Sequence, residues 1–398
     1  MSGPPPAAPL AGITVLDLSR VLAGPYATQL LGDLGAEVWK VERPGLGDET
    51  RAWGPPFVAG VSAYFLSVNR NKRSVALDFN DGAARAAVRR AALASDVVVE
   101  NFVPGDLARY GLDASSLRRD RPDLIVCSIT GFGQDGPYAT LPGYDAVMQG
   151  FTGLMSVTGA PDGPPTKVGV AVIDVLTGVH AAAAILAALV GRLRGAGGAH
   201  LDLALYEVGV ASLVNLSQAA LATGQPARRH GNAHPQIVPY QTFQAADGLL
   251  VVAVGNDEQW RRLCSALDAP ELASDARYAS NPERVLHRTG VVEDLSRRFA
   301  SRPRAAWIER LQAARVPCGP VRDLDEVMRD PVLRERDLVR ASPGAGARGT
   351  SSPAPATSEG PPLLALPWRI SGERPPLRTS PPSLGADTSE FLARFAPS

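Results

Sequence analysis

The first part of the chain changes its hydrophobic period twice, and this constrains the fold more than any other feature. Ile13–Ser19 is a β-branched apolar run typical of a buried strand. Pro25–Leu34 follows with helical spacing, and Glu37–Glu42 has the pattern of a second strand. A strand, a helix and a strand in this order predict two parallel neighbouring strands joined by a crossover.

The same alternation continues through the first half of the chain. Strands are predicted at Ser74–Asp78, Asp96–Glu100 and Leu124–Ile129, and Asp81 caps a predicted helix that runs to Ala94. Alternating strands and helices of this kind indicate an α/β fold with a Rossmann-like, doubly wound large domain.

The middle of the chain has a different character, which predicts a smaller α+β domain at 225–325. Gly224–Tyr240 is rich in Pro, Gly, Asn and His and is typical of a loop. Gln241–Val254 alternates around the turn Asp247–Gly248, which predicts a hairpin. Helices are predicted near 258–267, 284–300 and 304–314.

The remaining segments are assigned to the large domain. Residues 1–224 form most of it, and 326–398 complete it. Within the second segment, residues 341–362 are rich in Pro, Ser, Gly and Ala, and this composition predicts an exposed tether.

Charge and hydropathy exclude two classes of partner. Basic and acidic side chains balance at 40 each, so no net field attracts nucleic acid or anionic lipid. The apolar run 168–190 has the length of a membrane span, but Asp174, Thr177 and His180 interrupt it. A buried helix of a soluble protein is therefore predicted, with no membrane or nucleic-acid partner.

The cysteines and glycines limit cofactors and location. Cys127, Cys264 and Cys318 are few, odd in number and far apart, which disfavours a disulfide framework and a cysteine metal site. A reducing cytoplasm is predicted, without a metal. The turn Ser19–Gly24 has one glycine, which disfavours a nicotinamide or flavin site. No tightly bound cofactor is expected.

Cations near predicted strand ends are candidates for binding a phosphate. Arg43 follows the second strand, where it suits a nucleotide phosphate or an adenine face, and a solvated arginine is the alternative. Lys72 and Arg73 belong to the run 69–73, which either grips a phosphate or is a wet loop.

The segment 100–105 follows another predicted strand end, where ligands of open parallel sheets collect. Asn101 offers an amide, Phe102 offers a stacking face, and Arg109 follows in a short predicted helix.

Asp174 is the candidate for chemistry. The strand-like run Val170–Asp174 stops at this carboxylate, and an apolar helix, Val175–Leu193, begins after it. At a helix start, backbone N–H groups would favour its anion and would supply donors to an oxyanion. The alternative is an ordinary capping aspartate without chemistry.

Two further segments carry candidate substrate contacts. Tyr144 and Asp145 follow the glycine-rich segment 131–137, which is either a tight turn or a backbone cradle for a ligand. His234 lies in a Gly-Asn-Ala-His-Pro loop that begins at Gly231 and is suited to fold over a site.

Taken in order, these segments resemble the class III (CaiB/BaiF-type) CoA-transferase family over nearly the whole chain. The matching stretches include VLDLSRVLAGPYATQLLGDLGAEVWKVERPGLGD, NRNKRSVALDF, VVVENFVPGDLARYGL, GYDAVMQGFTGLM, PPTKVGVAVIDVLTGVHAAAAILAAL and GNAHPQIVPYQTF. The run VLAGPYAT and the loop AHPQIVPYQ are most similar to the branch that transfers CoA between succinyl-CoA and hydroxymethylglutarate or glutarate.

The resemblance implies an architecture and a set of roles. It implies a homodimer of two chains threaded as interlocked rings. Asp174 matches the nucleophile, the Asp before x-x-T-G. The loop from Gly231 to His234 is implied to serve the oxyanions. The residues implied to contact CoA are Val21, Leu22, Arg43, Leu77, Asn101, Phe102 and Arg109, with Lys72 and Arg73 nearby.

The implied reaction moves CoA from an acyl-CoA donor to a carboxylic acid. Succinyl-CoA is the expected donor, and a dicarboxylic acid is the expected acceptor. The reaction proceeds by a ping-pong mechanism with covalent aspartyl intermediates, and CoA is a substrate rather than a bound cofactor. Two alternatives stand. An α-methylacyl-CoA racemase or isomerase is disfavoured because Tyr144 occupies the place of the racemase His. A non-catalytic acyl-CoA-binding protein would not need Asp174.

Overall fold

The structure is a computed structural model that describes residues 8–343 and 360–396. It divides into two compact units. The first comprises Met1–Leu154, Val168–Gln218 and Pro331–Ser398. The second comprises Met155–Lys167 and Ala219–Asp330, so it takes in a segment from outside the predicted stretch 225–325.

A six-stranded parallel sheet forms the centre of the first unit. Its order is β3-β2-β1-β4-β5-β6, with every neighbouring pair parallel. This is the strand order of doubly wound Rossmann-like sheets, as the sequence predicts. The strands are β1 (Thr14–Asp17), β2 (Glu37–Glu42), β3 (Lys72–Ala76), β4 (Val97–Glu100), β5 (Ile125–Thr130) and β6 (His200–Ala204).

Helices connect and cover these strands. Five of them are used below: α1 (Ala23–Asp33), α2 (Gly82–Ala94), α3 (Asp145–Phe151), α4 (Val172–Leu193) and α5 (Thr388–Phe395). The other helices of this part of the chain are Ala63–Ser67, Ala114–Asp120, Leu154–Val157, Leu205–Ala211, Asn215–Thr223 and Val332–Glu335, with 3₁₀ turns at Glu49–Ala52 and Ala108–Tyr110. Phe57–Val58 pairs with Val61–Ser62 as a short antiparallel ribbon.

Alternate strand residues enter two separate cores. Val15 of β1 packs with α1 and α4 on one face of the sheet, whereas Leu16 packs with α2 and α5 on the other. Both side chains are fully buried. A strand that is covered on both faces has apolar residues at nearly every position, which explains the apolar run at residues 13–19.

The long helix α4 begins earlier than the sequence predicts. Residues 172–174 belong to the helix, so the prediction of a strand at 170–174 is wrong. By length and composition alone, α4 is the one helix of the described residues long and apolar enough to cross a membrane. Its residues Ile173, Ala181 and Ile185 are fully buried in the core beside the sheet, which is typical of a core helix.

The C-terminal segment caps the exposed edge of the sheet at β3. The carboxylate of Asp387 accepts the Ser74 N–H at 2.8 Å, and the Asp387 N–H donates to the Ser74 carbonyl at 2.9 Å. Phe391 of α5 packs edge-on against Trp39 of β2. An edge strand with its backbone groups satisfied in this way is protected from pairing with another chain.

The second unit is built on an antiparallel sheet whose hairpin confirms the sequence prediction. Tyr240–Ala245 pairs with Gly248–Ala253, which pairs with Cys318–Pro320. The helix predicted at 284–300 is interrupted at His287. The helices are Asp257–Ala266, Pro270–Ser274, Asn281–Leu286, Arg288–Phe299, Arg304–Ala313 and Leu324–Met328, with a 3₁₀ turn at Ala276–Tyr278.

The predicted tether at 341–362 lies mostly outside the described residues. The two segments that flank the undescribed stretch pair with each other: Val339–Ser342 and Gly360–Leu364 form an antiparallel ribbon.

Candidate active site

A pocket opens at the carboxyl ends of β1, β4 and β5, where the loops that follow the strands meet. Parallel strands end at one edge of the sheet, so segments far apart in sequence converge there. Glycine is required where two of these segments cross, because a Cβ on Gly143 would lie 2.3 Å from the Cα of Gly131. The predicted residues that line this pocket are Val21, Leu22, Asn101, Phe102, Tyr144 and Asp174.

The loop after β1 holds Val21 in a left-handed conformation, with φ of 71°. A β-branched residue pays on the order of 1–3 kcal/mol for this conformation, so its surroundings must impose it. The Val21 N–H donates to both oxygens of Asp48, at 3.2 and 3.3 Å. Asn101 bonds the Arg20 carbonyl at 2.8 Å and the Arg20 N–H at 3.0 Å. Asn101 thus fixes the pocket's backbone as well as lining the pocket.

A buried ionic network lies beneath this loop. Lys40 donates to the Ser19 carbonyl at 2.7 Å and pairs with Asp48 at 2.9 Å. Burial alone would raise the pKa of Asp48, but Lys40 and hydrogen bonds lower it to about 2. Lys72 pairs with Asp17 at 3.1 Å and is fully buried. Burial would likewise raise the pKa of Asp17, and the charges of Lys72 and Lys40 bring it below its ordinary value.

Lys72 therefore lies apart from the phosphate-binding position that the sequence predicts. Its ammonium group donates to Asp17, to the Pro25 carbonyl at 2.8 Å and to Asn69 at 3.0 Å. An ammonium group has three N–H donors, so all of them are occupied inside the protein.

Asp174 is the third residue of α4, and its side chain lines the pocket. The N–H groups of the first helical turn do not bind it. The Oδ1 atom of Asp145 accepts the N–H of Ile173 at 2.8 Å and that of Asp174 at 3.1 Å. The two flanking N–H groups, of residues 172 and 175, bond to backbone carbonyls. The prediction that this helix start binds the Asp174 anion or an oxyanion is therefore wrong.

The Asp174 carboxylate is consequently buried without hydrogen-bond support. It is 9% exposed, and no hydrogen bond to it is found within the described part of the chain. Burial, and then the charge of Asp145, raise its pKa from 3.8 to about 7. A desolvated carboxylate that faces a pocket and ionises near neutral pH is chemically suited to attack an electrophilic carbonyl carbon.

Tyr64, which the sequence analysis did not single out, is close enough to Asp174 for the charge of that carboxylate to act on its phenol. Burial, and then the charges of Asp174, Asp145 and Asp48, raise its pKa to about 12, so its hydroxyl stays protonated at neutral pH. Its ring packs edge-on against Trp53, with 5.5 Å between the centroids. Tyr64 lies on the short helix Ala63–Ser67, and no local motif marks its phenol as one that the charge of a carboxylate on α4 will affect.

Tyr144 and Asp145 are neighbours in sequence with different environments. Tyr144 is 60% exposed at the pocket. Asp145 is the first residue of α3 and is buried behind Asp174, where its Oδ2 accepts a bond from Gln149 at 2.6 Å. Asp145 thus contacts the backbone of the candidate nucleophile rather than the pocket.

Four other predicted CoA contacts lie outside the lining of this pocket. Arg43 and Arg109 are exposed, and Arg109 lies over the ring of Tyr110 at 4.7 Å. Arg73 pairs with Glu390 at 2.6 Å, and Leu77 packs beside one of the cores. Within residues 8–343 and 360–396, no three His, Cys, Asp or Glu side chains are grouped as a metal ion would require.

Gly231 and His234 belong to the second unit, where a loop presents them. The Gly231 N–H donates to the Gly159 carbonyl at 3.1 Å. The His234 N–H donates to the Tyr240 carbonyl at 2.9 Å, and Arg288 donates to the His234 carbonyl at 2.9 Å. Burial and the Arg288 charge lower the pKa of His234, which favours the neutral imidazole.

A Rossmann-like sheet with a buried carboxylate in a pocket at its strand ends is an arrangement typical of an α/β enzyme. Comparison with known proteins identifies which kind. Residues 10–388 match the model of CoA-transferase family III. The chain is 46% identical to the succinate–glutarate CoA-transferase of Agrobacterium fabrum, covering 97% of this chain and 96% of that protein. It is 42% identical to the mouse succinyl-CoA:glutarate CoA-transferase, covering 96% of this chain and 86% of that protein.

A solved structure agrees. A CaiB/BaiF family protein from Brucella suis superposes with a TM-score of 0.83 at 41% identity, over 97% of this chain and 99% of that one. The chain belongs to CoA-transferase family III and is an enzyme of that class. Acyl-CoA and carboxylic acid substrates fit the reactions for which these relatives are named.

Proposed function

We propose that this enzyme moves CoA from succinyl-CoA to a second dicarboxylic acid by a ping-pong mechanism through covalent intermediates on Asp174. The observation that carries the mechanism is the Asp174 carboxylate, which lines the pocket without a hydrogen-bond partner among the described residues and has a pKa of about 7. The names of the two relatives at 46% and 42% identity, which pair succinate or succinyl-CoA with glutarate, support the substrate class.

Four covalent steps complete the exchange. The Asp174 carboxylate attacks the donor thioester carbon, the C–S bond breaks, and a mixed anhydride and CoA thiolate result. The thiolate attacks the aspartyl carbon and expels the donor acid, which leaves an aspartyl-CoA thioester. The acceptor carboxylate attacks this thioester and releases thiolate, and the thiolate then attacks the acceptor's acyl carbon. Product thioester leaves and the Asp174 carboxylate is regenerated.

Trapping tests this mechanism directly. The enzyme is incubated with succinyl-CoA, and hydroxylamine or borohydride is added before peptide mass analysis. A hydroxamate or alcohol on the peptide that contains Asp174 is expected, and Asp174→Ala is expected to lose exchange. Glu335→Ala, at an exposed carboxylate of the same unit, is the matched control. Full exchange by Asp174→Ala would rule out the mechanism.

A panel of acids offered with succinyl-CoA tests the acceptor. Dicarboxylic acids are expected to receive CoA faster than monocarboxylic acids of the same length. If no acid accepts CoA while an α-methylacyl-CoA exchanges its α-proton with solvent deuterium, the enzyme is a racemase and the proposal fails.

CoA occupies the pocket lined by Val21, Leu22, Asn101 and Phe102, and Leu77 is a further contact. Support comes from the convergence of the first four residues in one lining. The exposed guanidinium groups of Arg43 and Arg109, and the half-buried one of Arg73, serve the phosphates. Replacing each by Ala is expected to raise KM for acyl-CoA with little change in kcat, most for Arg43 and Arg109 and less for Arg73, whose charge is already paired.

Tyr144 binds the acid substrate, and the exposure of its ring at the pocket supports this contact. The family resemblance also implies a role in the reaction for the loop from Gly231 to His234. Tyr144→Phe and His234→Ala are expected to raise KM for the acceptor acid and leave KM for acyl-CoA unchanged. An equal rise in KM for the acceptor acid and in KM for acyl-CoA would contradict the assignment of these residues to acid binding.

The enzyme works as a homodimer of interlocked chains. Support comes from exposed apolar residues on α4, where Val179, Val190 and Leu193 are 46%, 49% and 85% exposed. Light scattering is expected to give twice the chain mass. Tagged and untagged dimers are expected not to exchange subunits unless they are unfolded, and rapid exchange under native conditions would exclude interlocking.

The enzyme resides in the cytoplasm. Cys127, Cys264 and Cys318 are free thiols, as a reducing compartment favours. Fractionation of cells that express the chain is expected to recover activity in the cytosolic fraction, and recovery with membranes would contradict this.

A further inference from the structure

Three N–H donors converge on the carboxylate of Asp145, which is buried in the first unit. Oδ1 accepts two backbone N–H groups of α4, at 2.8 and 3.1 Å, and Oδ2 accepts the Gln149 amide at 2.6 Å. Ala171, the residue that precedes α4, has no side chain able to cap the helix. Asp145 therefore caps α4 from a different helix, α3, and is 8% exposed while it does so.

This capping has an opposite effect on the two carboxylates. The Asp145 carboxylate takes up the two N–H donors at the positive end of the α4 dipole. The same donors are thereby withheld from Asp174, which is left buried next to a fixed negative charge. A like charge in a desolvated site raises the free energy of an anion.

Acylation of Asp174 removes its repulsion by Asp145. In the anhydride and in the aspartyl thioester the side chain of Asp174 carries no charge, so repulsion from Asp145 disappears when either forms. We propose that Asp145 is a positioning residue that sets the first turn of α4 and drives Asp174 toward its acylated states. This inference rests on the proposed covalent role of Asp174.

In the part of the chain that the structure describes, Asp145 of α3 is the one titratable group whose charge shifts the pKa of Asp174. Tyr64 of helix Ala63–Ser67 is close enough for the charge of Asp174 to raise its own pKa. The pKa of Tyr64 is raised to about 12, so its phenol is neutral and adds no charge at neutral pH. Within the described residues, the other elements packed on α4, among them α1 with Tyr26 and Asp33, contribute no charge that shifts the pKa of Asp174.

The test uses Asp145→Asn, which keeps an oxygen to accept the two N–H groups and removes the charge. Asp174 is titrated in the full-length enzyme by infrared difference spectra of its carboxyl group, assigned against Asp174→Asn. The midpoint is expected to fall by at least about one pH unit in Asp145→Asn. The acid limb of the rate of CoA release from succinyl-CoA is expected to move equally, and the plateau rate to fall with KM unchanged.

An unchanged infrared midpoint overturns the inference, whatever the activity. A shifted midpoint with no trapped adduct in the wild type would instead contradict the proposed function, so the two failures are distinguishable. Asp145→Glu is expected to recover part of the plateau rate by restoring the charge. If Asp145→Asn does not fold, Asp145→Ser, which also keeps an oxygen acceptor and lacks the charge, gives the same measurement.

Discussion

The buried Asp174 carboxylate should cost the folded enzyme stability, and this cost should depend on pH. Its pKa is about 7 in the folded chain and 3.8 in an exposed state. The native state therefore binds one more proton than the unfolded chain between these values, and stability falls as the pH rises through this range. At about 1.4 kcal/mol for each pH unit, ionising Asp174 in the folded protein costs about 4 kcal/mol in full.

Asp174→Asn removes this ionisation and leaves a side chain of nearly the same size. Its free energy of unfolding, minus that of the wild type, is expected to grow by about 3 kcal/mol between pH 5 and pH 8, because most of the titration lies in that interval. The variant loses transferase activity while it gains stability. Such a trade is typical of functional groups held in unfavourable environments.

Urea unfolding at pH 5, 6, 7 and 8, followed by circular dichroism, measures the difference. Asp135→Asn is the matched control, because it removes an exposed carboxylate of the same unit and should show no comparable trend. A difference between Asp174→Asn and wild type that stays constant across these pH values would refute the reasoning, even if the variant were more stable overall.

Two further predictions concern the loop after β1. Lys72→Met leaves Asp17 buried without its nearest cation and should cost about 3–5 kcal/mol in urea unfolding, whereas Arg194→Met at an exposed site should cost little. Gly24→Ala should lower the melting temperature and raise KM for acyl-CoA, because the new Cβ would lie 2.3 Å from the Ser19 Oγ. This is expected even though alanine favours helices over glycine. An unchanged melting temperature and an unchanged KM would show that the loop relaxes freely.

The sheet could be predicted because its signals are local. Most of the first five strands carry β-branched residues of their own, and three of the helices between them have a capping side chain close by in sequence. The hairpin of the second unit was predicted for the same reason, since the Asp247–Gly248 turn and the alternation on both sides lie within one short stretch.

The environment of the site could not be predicted, because its determinants are distant in sequence. Residues 170–174 have a strand-like pattern, yet Asp145, 29 positions before Asp174, caps a helix there and reverses the expected effect on the nucleophile. Lys72 lies in a basic run typical of an exposed loop, but Asp17, 55 positions earlier, holds it inside. Burial and pairing of this kind depend on tertiary contacts that a single sequence does not display.

The cap that α5 and Asp387 place on β3 has a consequence for synthesis on the ribosome. The Ser74 N–H donates to the carboxylate of Asp387, which lies 313 positions later in the sequence. At roughly 5–20 residues per second, the open edge of the sheet waits on the order of 15–60 seconds before its covering segment exists. During that interval β3 can pair with another nascent chain, so crowded polysomes should favour aggregation, and slow translation of the last third of the message should lengthen the period of exposure.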